Sequence, residues 1–187
     1  VRPSQNDDGR IPRRIERAVA MLGELAEQQV PLAPLTTYRL GGSAAIMVRP
    51  RSVADLHTIG DALAATDLPV LVLGRGSNVL IADNGFDGIA VTLAEMGVDF
   101  SIEHTQVTAA AALALPQLAR RLVAASLTGF EWAVGVPGSV GGAVRMNAGG
   151  HGGDMAQCLV EARLFDLRTN QCAWVTADRL GLRFRGS

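Results

Sequence analysis

No apolar run in this chain of 187 residues approaches the roughly 18–20 needed to cross a bilayer, so a spanning helix is not expected. No block of basic residues is present and the formal net charge is -1, which removes the electrostatic footprint of a nucleic-acid or anionic-membrane binder. An anion, if bound, must be held by local amides. Cysteine is scarce: Cys158 and Cys172 match neither a CxxC nor a metal-ligand spacing. His57, His104 and His151 have no second ligand close by in sequence, so no metal is expected. Nothing at the start resembles a signal peptide, and reduced thiols in a cytoplasm are the expectation. Internal repeats and low-complexity tracts are also missing.

What is present is apolar material enough for a core, with 48% hydrophobic and 19% charged residues, and a length that allows one large domain or two small lobes. The chain is organised around 135–154, GVPGSVGGAVRMNAGGHGGD, in which eight of twenty residues are glycine. Such a stretch is expected to avoid regular helix and strand, because glycine loses the most backbone entropy on ordering. Its unshielded amides can converge into a nest for an anion such as a pyrophosphate. The alternative is a long surface loop, which would leave Val136, Val140, Ala143, Val144 and Met146 in water.

Ahead of this stretch the pattern alternates between helix and strand. Ile15, Ala18, Val19, Leu22, Leu25 and Ala26 recur at helical spacing, predicting an amphipathic helix from Pro12 to about Gln28 that Pro31 and Pro34 end. Ala44 to Val48 reads as a strand. Ser52 and Asp55 form a capping-box pattern before a helix whose inner face carries Val53, Leu56, Gly60 and Leu63. Leu68 to Leu73 reads as a buried strand, completing a βαβ unit with parallel pairing.

Directly after comes GRGSN, Gly74 to Asn78, followed by the apolar Val79-Leu80-Ile81, which predicts strand, glycine turn, strand. A dinucleotide fingerprint would need a third glycine where Val79 stands and a helix behind it, and a Walker loop would need Gly-Lys-Ser/Thr. Ser77 and Asn78 can turn polar groups toward a ligand; the alternative is a decorated hairpin turn. NGFDG at 84–88 is a turn, and short strands are predicted over 89–93, 98–102 and 107–112, with the lobes dividing near residue 90. Pro116 to Ala125 reads as a helix with Leu118, Leu122 and Ala125 inward and Arg120 and Arg121 solvated, stopped by 127–129. Strands over 159–167 and 172–175 flank a Thr169-Asn170 turn, and Thr176 caps a short turn at 177–180.

Four segments in this order, LTTYRLGGSA at 35–44, VLGRGSNVLI at 72–81, LTGFEWAVGVPGSVGGAVRMNAGGHGGD at 127–154 and LRFRGS at 182–187, resemble the UDP-N-acetylenolpyruvoylglucosamine reductase family. The resemblance implies an α/β plus α+β fold, a two-lobed FAD-binding fold of the vanillyl-alcohol oxidase-like (PCMH) type, with the third, substrate-binding domain absent. It divides the chain into an N-terminal tail and helix (1–30), a first FAD-binding lobe (31–90) and a second (91–187). It further implies FAD contacts from Tyr38, Arg39 and Gly41, from Gly74, Arg75, Gly76, Ser77, Asn78 and Val79, and from Gly135, Val136, Pro137, Gly138, Ser139, Gly141, Gly142, Ala143, Asn147, Ala148 and Gly149.

The implied reaction is NADPH-dependent reduction of the enolpyruvyl group of a nucleotide-sugar substrate in peptidoglycan precursor synthesis. The implied protein is a cytoplasmic monomer with no nucleic-acid or membrane partner. In that chemistry a guanidinium suits the substrate carboxylate, and the resemblance puts Arg185 of FRGS in the role; the alternative is a solvated strand-end arginine. Phe184 stands where the family has tyrosine, Ala109-Ala110-Ala111 replaces a more glycine-rich segment, and Ser187 is the motif's own serine and not the family's proton donor. The family's proton-donating serine and late glutamate lie beyond this motif. A stand-alone FAD-binding module without reductase activity is the alternative reading, and another flavin oxidase on the same fold is disfavoured by the VPGSVGGAVRMNAG stretch.

Overall fold

A computed structural model describes residues 10–183 and 186–187, which cluster into two compact units. The first comprises 10–73, 80–92 and 165–171; the second comprises 74–79, 93–164, 172–183 and 186–187.

In the first unit α1 (Arg10–Leu22) buries Ala18 and Leu22. It stops well before Gln28 because Gly23 takes φ +55, a left-handed conformation that ends the helix before either proline is reached. The residues after it form a strand that the helical periodicity concealed: β1 (Glu27–Pro31) pairs antiparallel with β2 (Ser43–Val48), Glu27 opposite Met47 and Pro31 opposite Ser43. β1 is an exposed edge strand with little apolar alternation, so its position comes from pairing. The capping box is present at the start of α2 (Val53–Thr66): Ser52 Oγ accepts from the Asp55 amide at 3.2 Å, and Asp55 Oδ2 accepts from the Ser52 amide at 3.1 Å. The Arg51 amide, 2.7 Å from the same oxygen, is the main reason the Asp55 carboxyl is held below the usual carboxylate range.

β3 (Val70–Leu73) and β4 (Phe86–Thr92) complete a sheet in the order β1-β2-β4-β3. β2 and β3 are parallel to the same neighbour, as a βαβ unit requires, but β4 lies between them. At the sheet edge β3 is not the buried strand expected, for Val70 and Val72 are 42% and 56% exposed. Nor does Val79-Leu80-Ile81 form a strand. Since β3 and β4 run parallel, the chain between them must cross over the sheet end, which a hairpin turn cannot do. Ile46, Met47, Ile59, Leu73 and Ile89 are fully buried, and each contributes roughly 1.5–3 kcal/mol of transfer free energy.

The residues 165–171 close onto α2. Asn170 donates from Nδ2 to Asp61 Oδ1 at 2.8 Å and to the His57 carbonyl at 3.3 Å, and the Phe165 and His57 rings meet in a T-shaped contact with centroids 4.9 Å apart. Gly60 leaves the room, since a methyl there would overlap Asn170 Oδ1.

The second unit contains the hairpin β5 (Phe100–Glu103) and β6 (Gln106–Ala109), α3 (Leu115–Ala124), α4 (Val140–Met146) and the two-residue pair β7 (Gly149–Gly150) and β8 (Gly153–Asp154). The hairpin β9 (Glu161–Asp166) and β10 (Gln171–Thr176) belongs to it except for its end at 165–171. Leu115, Leu118, Ala119 and Leu122 form the inner face of α3; Ala125, expected inward, is exposed because the helix has already ended. Arg120 and Arg121 face outward, and the Arg121 guanidinium stacks 5.0 Å above the Phe100 ring. Thr176 occupies the N-cap position of the turn at 177–180 but its side chain makes no capping bond.

The glycine stretch contains a helix, contrary to expectation. Ser139 begins α4, its Oγ accepting from the Gly142 amide at 3.2 Å, and Asn147 ends it in a left-handed conformation. Ala143 is buried against Leu115, Trp132 and Met155, with Val140 and Val144 packed on the same cluster. Capping and apolar burial outweigh the glycine penalty at 141 and 142, which is about 1 kcal/mol each.

Candidate functional site

Both glycine segments fall in the second unit, and the fold brings them into contact. Ser77 Oγ donates to the Pro137 carbonyl at 3.3 Å. A methyl on Gly74 would stand 2.7 Å from Ser139 Oγ, and one on Gly138 would stand 3.2 Å from Ser77 Oγ. Gly138 has φ +129, a conformation open to glycine and strained for other residues. The approach of the two loops therefore depends on missing side chains at 74 and 138.

A neighbouring segment holds the second loop. The Val140 amide donates to the Leu113 carbonyl at 2.9 Å and the Leu115 amide to the Gly138 carbonyl at 3.0 Å, so Ser139 faces Ala114 as an isolated antiparallel bridge. Beside it the Gly141 amide donates to the Ala111 carbonyl at 2.8 Å. Ala111, the last of the three alanines that replace a more glycine-rich family segment, stands against the bare Cα of Gly141. Leu113 and Ala114 carried no sequence signal for this role, because they act through main-chain atoms.

The donors left over suit an anion. Among the described residues, the amides of Gly74, Arg75, Gly76, Ser77 and Asn78 donate to no carbonyl, and neither do those of Gly138 and Ser139. The segments 74–79 and 135–149 contain no carboxylate, while Arg75 and Arg145 are cationic. Unpaired amides on touching, glycine-thinned loops of positive charge fit a pyrophosphate such as that of FAD.

Other residues of the second loop shape it. Asn147 Oδ1 accepts from the Ala156 amide at 2.9 Å, and the Ala148 amide donates to the Ala143 carbonyl at 2.8 Å, folding the chain back after α4. Gly149 pairs with Asp154, whose Oδ1 accepts from the Gln157 amide at 3.1 Å. A methyl on Gly153 would stand 2.6 Å from the Trp132 ring, and Trp132 itself is buried. Trp132 and Asp154 are thus supporting residues; the sequence offered only their proximity to the glycines. Val136 and Gly142 are half-buried, Gly135 is exposed, and Val79 closes the first loop half-buried. Cys158 Sγ turns to the Met155 carbonyl at 3.4 Å; burial, and secondarily the Asp154 carboxylate, push its thiol pKa up.

Tyr38, Arg39 and Gly41 belong to the first unit. Tyr38 is exposed, the Arg39 amide donates to Thr36 Oγ1 at 3.2 Å, and Gly41 lies so close to Ile81 that a methyl would overlap it. Arg185 and Phe184 lie outside the described residues. Arg183 and Gly186 exchange main-chain hydrogen bonds of 2.9 and 3.0 Å, and Arg145 Nη1 donates to the Ser187 main-chain oxygen at 3.0 Å.

The FAD binding domain family matches residues 44–172. UDP-N-acetylenolpyruvoylglucosamine reductase of Bacillus velezensis is 39% identical over 167 residues, covering 89% of this chain and 54% of the relative. The crystal structure of UDP-N-acetylenolpyruvylglucosamine reductase from Thermus caldophilus superposes with a TM-score of 0.72 at 30% identity, over 86% of this chain and 56% of that one. The Physcomitrella patens BBE-like 1 structure, with a TM-score of 0.58 at 17% identity over 87% of this chain and 38% of that one, shares the fold alone. The chain spans about half the length of the curated relatives it matches. The Rossmann and Walker alternatives have no support, since no helix follows Gly74–Val79. This two-lobed, mixed α/β chain belongs to the FAD binding domain family and matches the FAD-binding portion of UDP-N-acetylenolpyruvoylglucosamine reductases.

Proposed function

We propose that this chain is the FAD-binding portion of an enzyme that uses NADPH to reduce the enolpyruvyl group of UDP-N-acetylglucosamine enolpyruvate to UDP-N-acetylmuramate, in peptidoglycan precursor synthesis. The observation that carries the reading is the contact of the loops at 74–79 and 135–149, where among the described residues the amides of Gly74 to Asn78 and of Gly138 and Ser139 donate to no carbonyl, in a chain whose sequence relatives are so named. The chemistry that FAD supplies when bound is hydride transfer between NADPH and the substrate's double bond.

The chain's own residues bind, orient and stabilise. The amides of Gly74 to Asn78 and of Gly138 and Ser139 take the cofactor's pyrophosphate, with Val79 and the residues from Gly135 through Gly149 around it, and Tyr38, Arg39 and Gly41 form a further cofactor-contacting segment. Arg185 clamps the substrate carboxylate, where a planar, always-charged guanidinium stabilises the negative charge that develops as the double bond accepts hydride. A proton must then reach the neighbouring carbon, and Ser187 is not its source in this reading. The tail and α1 (1–30) precede a first lobe over 31–90 and a second over 91–187, in a cytoplasmic monomer that acts on a nucleotide-sugar and on neither nucleic acid nor membrane. No helix among the described residues is long and apolar enough to cross a membrane.

The test is the visible absorption of the purified chain after addition of FAD and removal of the excess, followed by NADPH oxidation by the full-length protein with and without the enolpyruvyl nucleotide-sugar. Retained flavin with substrate-dependent turnover supports the reading. Retained flavin without turnover assigns the chain to a flavin-binding module that reduces nothing, and a colourless folded protein refutes the site.

A further inference from the structure

We propose that His151 is a further contact for FAD, its imidazole donating to an oxygen of the cofactor beside the bare Cα of Gly135; the inference rests on the flavin-binding reading given above. His151 stands among four glycines, at 149, 150, 152 and 153, so the β7–β8 hairpin presents a single side chain before Asp154. Packing accounts for three of those glycines. A methyl on Gly149 would stand 2.7 Å from the Asp154 Cβ, one on Gly150 3.3 Å from Val136 Cγ2, and one on Gly153 2.6 Å from the Trp132 ring. Gly152 is accounted for by its φ of +85, the second residue of a two-residue turn whose first, His151, has φ +53. The hairpin is thereby pressed on Trp132 and Val136, which fixes its tip, and all of these residues belong to the second unit.

Two residues are left without a reason inside the protein. The His151 ring is exposed, and among the described residues neither of its nitrogens has a hydrogen-bond partner, whereas the His57 ring is bonded to Asn170 and packed on Phe165. Gly135 is exposed and has no positive φ, and a methyl there would meet His151 Nε2 at an ordinary 3.8 Å with no other described atom within 4 Å. Neither backbone conformation nor packing requires glycine at 135. A bare Cα beside an unpartnered imidazole gives a ligand room to reach the main chain and a donor to meet it. Gly135 opens the segment that leads to Gly138 and Ser139, whose amides donate to no carbonyl, so the ligand is the one that the nest takes. An imidazole carries an N–H whether neutral or charged and serves an anionic or a carbonyl oxygen alike. FAD offers both, on its pyrophosphate and on its flavin ring. His104 supplies the contrast: it has the same left-handed conformation in the β5–β6 turn, φ +58, but lies outside the glycine segments.

The experiment uses the full-length protein freed of flavin, as the parent and as His151→Gly, His104→Gly and Gly135→Ala. Glycine keeps the left-handed turn at either histidine, so thermal unfolding of the two flavin-free histidine variants should shift alike. Titration with FAD, read by its absorbance and fluorescence, should give a Kd about tenfold weaker in His151→Gly and unchanged in His104→Gly. Gly135→Ala, whose methyl enters the same space, should also weaken FAD binding while keeping the parent's unfolding midpoint. Titration with ADP locates the acceptor: an equal loss for ADP in His151→Gly puts it on the pyrophosphate, and a loss for FAD alone puts it on the flavin portion. A Kd for FAD within about twofold of the parent in His151→Gly or in Gly135→Ala, or an equal weakening in His104→Gly, would overturn the inference while the parent still binds FAD. A parent that binds no FAD would overturn the reading on which it rests.

Discussion

The Gly141 amide donates to the Ala111 carbonyl at 2.8 Å, and a methyl placed on Gly141 would stand 2.9 Å from the Ala111 methyl. The bare Cα at 141 and the methyl at 111 are two halves of one contact. Gly141→Ala should therefore destabilise the chain by about 1–3 kcal/mol through overpacking, measured by urea unfolding. Ala111→Gly in the same protein should recover part of that loss, whereas the two changes would simply add if the residues did not share this space.

Gly138→Val should abolish flavin retention. The residue's φ of +129 is strained for any side chain by about 1–3 kcal/mol, and the new atoms would press on Ser77 Oγ, 3.2 Å from the first of them. Absorbance after gel filtration with FAD reads the result; an unaltered flavin content would remove Gly138 from the site.

Asn170 is held against α2 by bonds to Asp61 Oδ1 and the His57 carbonyl, above the bare Cα of Gly60. Gly60→Ala should dislodge it and lower stability by about 1–3 kcal/mol, although alanine is the better helix former by about 1 kcal/mol. A stabilised protein in thermal unfolding would mean that helix propensity wins and the contact at 170 is expendable.

Asp55 gives a pH signature. Its carboxyl is lowered chiefly by the Arg51 amide and then by Ser52, so its folded pKa lies below its unfolded one. The stability it contributes is fully present above the unfolded value of about 4 and is lost as pH falls through the lower, folded value. Asp55→Asn should be less stable than the parent at pH 7 and should converge with it below about pH 4. Parallel stability curves across that range would contradict the assignment.

The two thiols should differ in reactivity. Cys158 turns its sulfur to the Asp154 and Met155 carbonyls, and burial with the Asp154 carboxylate raises its pKa, which depletes thiolate. Both cysteines are exposed residues, and at Cys172 the Arg163 Nε lies 3.2 Å from the sulfur. Alkylation near pH 8 followed by mass spectrometry should modify Cys172 before Cys158; the reverse order would contradict the depletion of thiolate at Cys158.

Much of the fold was legible because its signals are local. The Ser52–Asp55 box, the apolar run of β2 and the inner face of α3 each follow from residues within a few positions of one another. β1 was hidden because Glu27–Pro31 has no apolar alternation and exists through its pairing with β2. α4 was hidden because composition counts the glycines at 141 and 142 and cannot see Ser139 capping or the burial of Ala143. At the site, the glycine segments and the absence of carboxylates in them were readable, as was the family they resemble.

The sequence alone carried the chemistry of this protein: backbone left bare at 74 and 138, cations without acids, and four ordered segments of one family. Contact belonged to the fold. Ser77 reaches the Pro137 carbonyl across 60 positions, Ala111 fills the space over Gly141, and Arg145 meets Ser187, none of which local spacing encodes. Which bare Cα meets which neighbour is set by the packing of α3 and α4 on one apolar cluster, and packing is a property of the whole unit.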